Sequence, residues 1–241
     1  MPEAILPQPD WVQATRLFDG LGELIACLTP AKRFDTRGTV FFIDDFEDGI
    51  SKASYTLSGT GGAYALSSRL SRFGGFSLKL TGGSDGFRYS QCAWYFHEPI
   101  YSKMGMELQF KLRAGVEYVR LSHLIFDGST MHRGSVQYDN VNEKWQYLNS
   151  AGSYVDLVDG IRLDSTEVLF HPAKLVIDFV HDKYQRLVLG DQEVDMRELG
   201  LYTEDSATAP RGEAKVEVFS TIGDNGAIYV DSVVLTEDEP S

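Results

Sequence analysis

KLVIDFVHDKYQRLVLGDQEVDM, residues 174–196, reads as a strand, a turn, a second strand, a Gly-Asp turn and a short third strand. In 174–180, Leu175, Ile177 and Phe179 alternate with Val176, Asp178 and Val180. That period of two sends successive side chains to opposite faces of a strand. The run stops at His181-Asp182-Lys183, resumes in YQRLVL (184–189) and turns again at Gly190-Asp191.

The same texture extends over most of the chain. FSLKL (76–80), FRYSQCAWYF (87–96), MELQFKL (106–112), YVRLSHLIF (118–126), AKVEVFSTI (214–222) and AIYVDSVVL (227–235) are rich in aromatic and branched residues. Gly, Asp, Asn and Ser clusters separate them, and no amphipathic helix lies between them. This pattern predicts an all-β, antiparallel sandwich or jelly roll over residues 39–235. In 118–126 the alternation places His123 with Val119, Leu121 and Ile125, so a partly buried, hydrogen-bonded histidine is expected there.

Residues 1–38 fall outside the pattern. Pro2, Pro7 and Pro9 predict an extended N-terminal arm, and residues 11–28 carry apolar residues at helical spacing between Asp10 and Pro30. Gly20 and Gly22 weaken that helix and leave a pair of short strands open. The tail 236–241 is expected to fray.

A formal net charge of −13 over 241 residues argues against a nucleic-acid surface and against an anionic membrane surface. No run approaches the 18 apolar residues of a membrane span. The N-terminus has no basic segment followed by an apolar one, so as written the chain reads as cytoplasmic. Cys27 and Cys92 lie far apart and outside any metal-type spacing; two free buried thiols are expected, with one long-range disulfide as the alternative.

Three stretches together resemble β-sandwich carbohydrate-binding modules and concanavalin A-like lectin and glucanase domains. They are DDFEDG (44–49) followed by GGFSLKLTGG (74–83), the meander 174–196, and the closing AIYVDSVVL (227–235). The resemblance covers residues 39–235 and implies the concanavalin A-like jelly roll and a carbohydrate-like ligand. In such modules an apolar–Glu step ending the first strand and an Asp after an aromatic in the last strand hold a structural calcium. The matching positions are Phe46-Glu47 and Tyr229-Val230-Asp231, and Asp45 shares Glu47's face. The resemblance thus implies one calcium ion held by Glu47, Asp231 and Asp45, with carbonyls and water completing the shell. Read from the residues alone, the same cluster is a solvated turn whose carboxylates bond local N–H groups, and Asp44 and Asp48 are turn residues.

EVDMRE (193–198) fits the Glu-x-Asp-x-x-Glu pattern of laminarinase-type glycoside hydrolases. The match would make Glu193 nucleophile, Asp195 helper and Glu198 acid, with the two carboxyl groups facing each other across the sugar. Here the motif follows a Gly-Asp turn and runs into RELGLY, a turn-like segment that would twist Glu198 away from the face of Glu193 and Asp195. His97, His123, His132, His171 and His181 show no metal spacing.

Aromatics remain. Sugar sites pair an aromatic plate with planar polar side chains, because a pyranose offers apolar C–H faces and a rim of hydroxyls. YDNVNEKWQYL (138–148) offers Tyr138, Trp145 and Tyr147 beside Asn140, Asn142 and Gln146, and Trp94 adds a further ring. The leading expectation is a non-catalytic binding protein using these residues. The alternatives are an assembly role, in which the arm makes a homo-oligomer, and a hydrolase using Glu193 and Glu198.

Overall fold

The computed structural model describes residues 35, 37–97, 101–163 and 169–241. They form strands β1 (Thr39–Asp44), β2 (Ser54–Leu57), β3 (Ala63–Ser67), β4 (Ser77–Thr81), β5 (Tyr89–Phe96) and β6 (Lys103–Leu112). β7 (Val116–Phe126), β8 (Thr130–Asp139), β9 (Lys144–Leu148), β10 (Tyr154–Val158) and β11 (His171–Asp178) follow. The last are β12 (Lys183–Leu189), β13 (Gln192–Asp195), β14 (Tyr202–Asp205), β15 (Arg211–Ser220) and β16 (Ala227–Glu237). No helix occurs among the described residues, and none there is long and apolar enough to cross a membrane. The expected segment 11–28 and Cys27 lie outside them; Cys92 is a free, buried thiol.

Two eight-stranded antiparallel sheets make the predicted sandwich. The first has the order β13-β12-β11-β6-β16-β4-β3, with β1 also on β16. The second has the order β10-β9-β8-β7-β15-β5-β2, with β14 also on β8. Period-two patterning explains the layering: Met104, Met106, Leu108, Phe110 and Leu112 of β6 point inward, as do Ala173, Leu175 and Ile177 of β11 and Val136 and Tyr138 of β8.

β16 changes partner midway. Its first half pairs β4 and its second half pairs β1, so the first and last strands lie side by side. The switch falls at a bulge where Ser232 takes φ +56°.

The outer face of the first sheet is closed by the ends of the described chain. Lys174, 1% exposed, pairs with Glu239 at 2.6 Å and with Asp35 at 3.4 Å. Arg186 pairs with Glu239 and donates to the Pro240 carbonyl. Glu107 accepts the Asp35 N–H at 3.0 Å, and burial lifts its pKa to about 8. The tail therefore does not fray: β16 runs to Glu237, and buried cations that need a partner pin Glu239 behind it.

His123 is buried, but not hydrogen-bonded. Both ring nitrogens lack a partner among the described residues, the ring stands edge-on to Phe179 at 5.4 Å, and desolvation lowers its pKa to about 4. The ring sits in the core as a neutral, aromatic filler.

Candidate functional site

The residues singled out in the sequence separate into different places. Trp94, Tyr138 and Trp145 are 1%, 0% and 1% exposed, so none lies open on the surface, and Trp145 alone of the three reaches the wall of a cavity, the apolar one described below. Trp94 Nε1 donates to Asp44 at 3.0 Å, and the Tyr138 hydroxyl donates to the Ile161 carbonyl at 2.9 Å. Trp145 stands edge-on to Phe110. They fill the core because a sandwich needs large apolar volume between its sheets. Tyr147 faces the same interior, edge-on to Tyr184. Asn140 and Asn142 shape the β8–β9 turn: Asn140 donates to the Val116 carbonyl, and Asn142 to Asp139. Of the seven, Gln146 alone takes part in the open polar face described below.

The acidic opening cluster also divides. Asp44, expected to be a turn residue, is fully buried and orients Trp94. Asp45 accepts the Glu47 N–H, and Asp48 lies against Lys52 on the surface. Glu47 accepts the N–H groups of Gly75 and Phe76, while Asp231 accepts those of Arg72 and Phe73. Glu47 and Asp231 thus hold the two ends of one loop between β3 and β4. Backbone N–H donors suit a carboxylate, not a cation. Among the described residues, no group of three or more His, Cys, Asp or Glu side chains is placed to hold a metal ion. The observed task of both residues is loop-holding, and a cation beside them is a matter for the chelation test below.

The Glu-x-Asp-x-x-Glu motif lies on an edge strand. Glu193 of β13 pairs with Arg37 at 2.7 Å, and Asp195 with Arg197 at 2.6 Å. Glu198 sits beyond Met196 in the turn closed by Leu199 N–H to the Met196 carbonyl. Glu193 and Asp195 border a depression of about 260 Å³ with Gln185 and Arg186, and Glu198 does not line it.

Cavities of about 370 and 390 Å³ flank the Gly190–Gln192 turn. The first is floored by the buried Glu107 and Lys174 and bordered by Asp35 and Arg37, the ionic closure described above. The second is mostly apolar, with Phe110, Ile161, Leu163 and Leu189 in its wall.

The outer face of the second sheet differs from that of the first. The hydrogen bonds and ion pairs described for its central side chains are made within the sheet. Backbone register places Thr56, Gln91, Glu217, Arg120, Gln137, Gln146 and Asp156 opposite one another on seven successive strands. All seven are polar. Arg120 pairs with Glu217 at 3.5 Å and donates to Gln137 Oε1. Gln137 donates to Gln146 at 2.7 Å, Gln146 to Asp156 at 2.7 Å, and Asp156 closes the row on Lys144. Lys144 and Gln146 hold the Asp156 carboxyl below its usual range. Glu217 and Gln137, mid-row, are buried, whereas Thr56 and Asp156 at its ends are exposed.

Two residues along each strand, a second row is aromatic. Tyr89, Phe219 and Tyr118 are opposite one another on β5, β15 and β7, each half-buried. Phe219 lies 5.6 Å from Tyr89 and 6.4 Å from Tyr118. The Arg120 guanidinium lies over both Phe219 and Tyr154, at 4.5 and 4.7 Å. On the other side of the polar row, the hydroxyls of Ser122, Ser135 and Tyr154 bond one another at 2.8 Å.

Sequence reading missed this face, apart from Gln146. The signal was present in part: Arg120 and Ser122, alternate positions of 133–139 and alternate positions of 211–217 are polar. Only the register across strands shows that they form one line.

No family model matches the chain, and no curated protein matches it. Solved structures do match its fold. One titled "Cellulose induced protein, Cip1" superposes with a TM-score of 0.54 at 14% identity, covering 81% of this chain and 97% of that one. An endo-β-1,4-glucuronan lyase from the fungus Trichoderma reesei gives 0.53 at 14%, covering 83% and 96%. A carbohydrate esterase of the Shiga toxin-encoding bacteriophage phi24B gives 0.50 at 15%, covering 84% and 100%. At such identities the likeness shows the fold alone, and that fold is the antiparallel two-sheet sandwich anticipated from the sequence.

Proposed function

We propose that the chain is a carbohydrate-binding protein whose ligand lies across the strands on the outer face of the second sheet. One observation carries this reading: a row of polar side chains in register from β2 to β10, planar at every position but Thr56 and flanked by a row of aromatic rings. Adjacent strands are spaced by roughly 4.8 Å, which gives an extended sugar chain a polar group per strand. Rings beneath the C–H faces and amides beside the hydroxyls are the pairing a pyranose needs. The in-plane hydrogen bonds fix the rotamers beforehand, so little ordering remains at binding. The carbohydrate-related titles of the three structural neighbours agree with this choice.

Binding without bond cleavage is the simpler reading. Hydrolysis needs two carboxyl groups facing each other across the sugar. Glu213 and Glu217 stand roughly 13 Å apart along β15 by strand rise, and each lies against a cation. Desolvation also raises the pKa of Tyr154, so its phenol is a proton-bearing donor and not a base.

Affinity electrophoresis through gels carrying soluble polysaccharides tests the reading. Retardation by at least one polysaccharide, abolished in Tyr118→Ala, is expected. Migration unchanged by every polysaccharide would sink it.

A further inference from the structure

The cations of this face are Arg120, Arg133, Lys144, Arg211 and Lys215. Four have a carboxylate within 4 Å: Arg120 has Glu217, Lys144 has Asp156, and Arg211 and Lys215 share Glu213. Arg133 of β8 has none among the described residues. Its Nε is buried without a hydrogen-bond partner, and its Nη2 has a single long contact, 3.4 Å to Ser122 Oγ. Directly opposite it stand Leu124 of β7 and Tyr202 of β14; the nearby Glu204 carboxylate accepts the Tyr202 hydroxyl and makes no ion pair with Arg133 within 4 Å. Only Nε is buried without a partner, so the Nη groups stay open to solvent as a cationic fork that no carboxylate of the described residues within 4 Å neutralises, in a chain of net charge −13. That fork suits an anion supplied from outside.

Position says where that anion sits. The Arg133 side chain reaches back to Ser122, which is one alternation from Arg120 in the polar row. Between the two stand the linked hydroxyls of Ser122, Ser135 and Tyr154. Ser122 and Ser135 are fully buried, so a sugar ring lying over Arg120 would turn a ring substituent past them toward the guanidinium. A planar carboxylate accepts two parallel N–H groups from an arginine, which a hydroxyl cannot do.

Building on the reading of this face as the glycan site, we propose that its ligand is an acidic glycan of uronic acid sugars. Arg133 takes the carboxylate of one unit, while the polar row takes the hydroxyls. Arg133 is then the residue that sets the choice between acidic and neutral chains.

The test is calorimetric titration of the full chain with three oligomers of equal length and linkage: oligoglucuronate, its methyl ester, and the glucose oligomer. The wild type is expected to bind the acid form at least about tenfold more tightly than the other two. Arg133→Gln should bind all three alike, and Arg133→Lys should keep part of the preference. Because the ester comparison uses the wild type, it does not depend on how the variants fold. Equal binding of acid and ester by the wild type would overturn the assignment, as would a folded Arg133→Gln that still prefers the acid. If the ester and the glucose oligomer bind as well as the acid, the acidic assignment falls and the glycan face stands. If none of the three binds, the acidic assignment falls, and the polysaccharide gels decide separately whether the face reading falls with it.

Discussion

Arg120 donates to Gln137 Oε1 at 3.0 and 3.3 Å across the β7–β8 pair, with its guanidinium layered over Phe219 and Tyr154. The contact fixes two donors in one plane at the centre of the polar row. Removing either side chain changes the face without opening the core. Gln137→Ala should therefore weaken glycan binding by about tenfold and cost about 1–2 kcal/mol of stability, because Gln137 is buried and bonds both Arg120 and Gln146. Trp145→Ala should do the reverse, losing about 3–5 kcal/mol because it empties a core site. Paired isothermal titration and urea unfolding separate the two effects. A Trp145→Ala protein of full stability would contradict the burial described here.

His123 predicts an acid limb in stability. Its pKa is about 4 in the fold against 6.5 for the free side chain. The unfolded chain therefore binds the proton first as pH falls. Stability from this group is complete above pH 6.5 and is lost on the way to pH 4, amounting to roughly 3 kcal/mol. His123→Leu should remove that part of the slope. Thermal melts at half-unit pH steps would show it, and parallel slopes for both proteins would refute it.

Glu239 predicts the opposite kind of fragility, that of a buried ion cluster missing one member. Glu239→Ala leaves Lys174 and Arg186 short of their shared anion and should cost about 3–5 kcal/mol, read from the urea midpoint. Glu107 in the same cluster works against the fold at high pH. Its folded pKa, about 8, lies above the ordinary 4.5, so the fold holds a proton that the unfolded chain releases. Stability therefore falls as pH rises from about 4.5 to 8, and Glu107→Gln should melt higher than the wild type at pH 8 but not at pH 4. Identical differences at both pH values would be evidence against it.

Asp231 and Glu47 anchor opposite ends of the 72–76 loop, but Asp231 is buried and Glu47 is exposed. Asp231→Ala should cost about 3 kcal/mol, and Glu47→Ala under about 1 kcal/mol. If N–H donors alone hold the loop, a chelator leaves the melting temperature of the wild type unchanged. A fall of several degrees on adding EGTA, restored by calcium, would show instead that a cation shares these carboxylates.

Period-two alternation made the sandwich legible, because it depends only on which residues avoid water. Leu175, Ile177 and Phe179 could be assigned inward with no knowledge of their partners. The same reasoning could not place Trp94, Tyr138 and Trp145, since an aromatic ring serves a core and a sugar equally well and the sequence does not say which sheet face is closed. Asp44 was misread for a related reason: only the fold brings Trp94 Nε1 to it across 50 residues. The polar row was hidden because register is a property of paired strands. Arg120 and Glu217 are 97 positions apart and become neighbours only when β7 pairs with β15.

The most direct test of the glycan face is an amide NMR titration of the full chain with the oligoglucuronate. The account predicts shifts concentrated at Arg120, Arg133, Gln137, Gln146 and Glu217, spreading along β7, β8 and β15, with β6, β11 and β12 still. Shifts centred on the Gly190–Gln192 turn, or on the outer face of the first sheet, would contradict it.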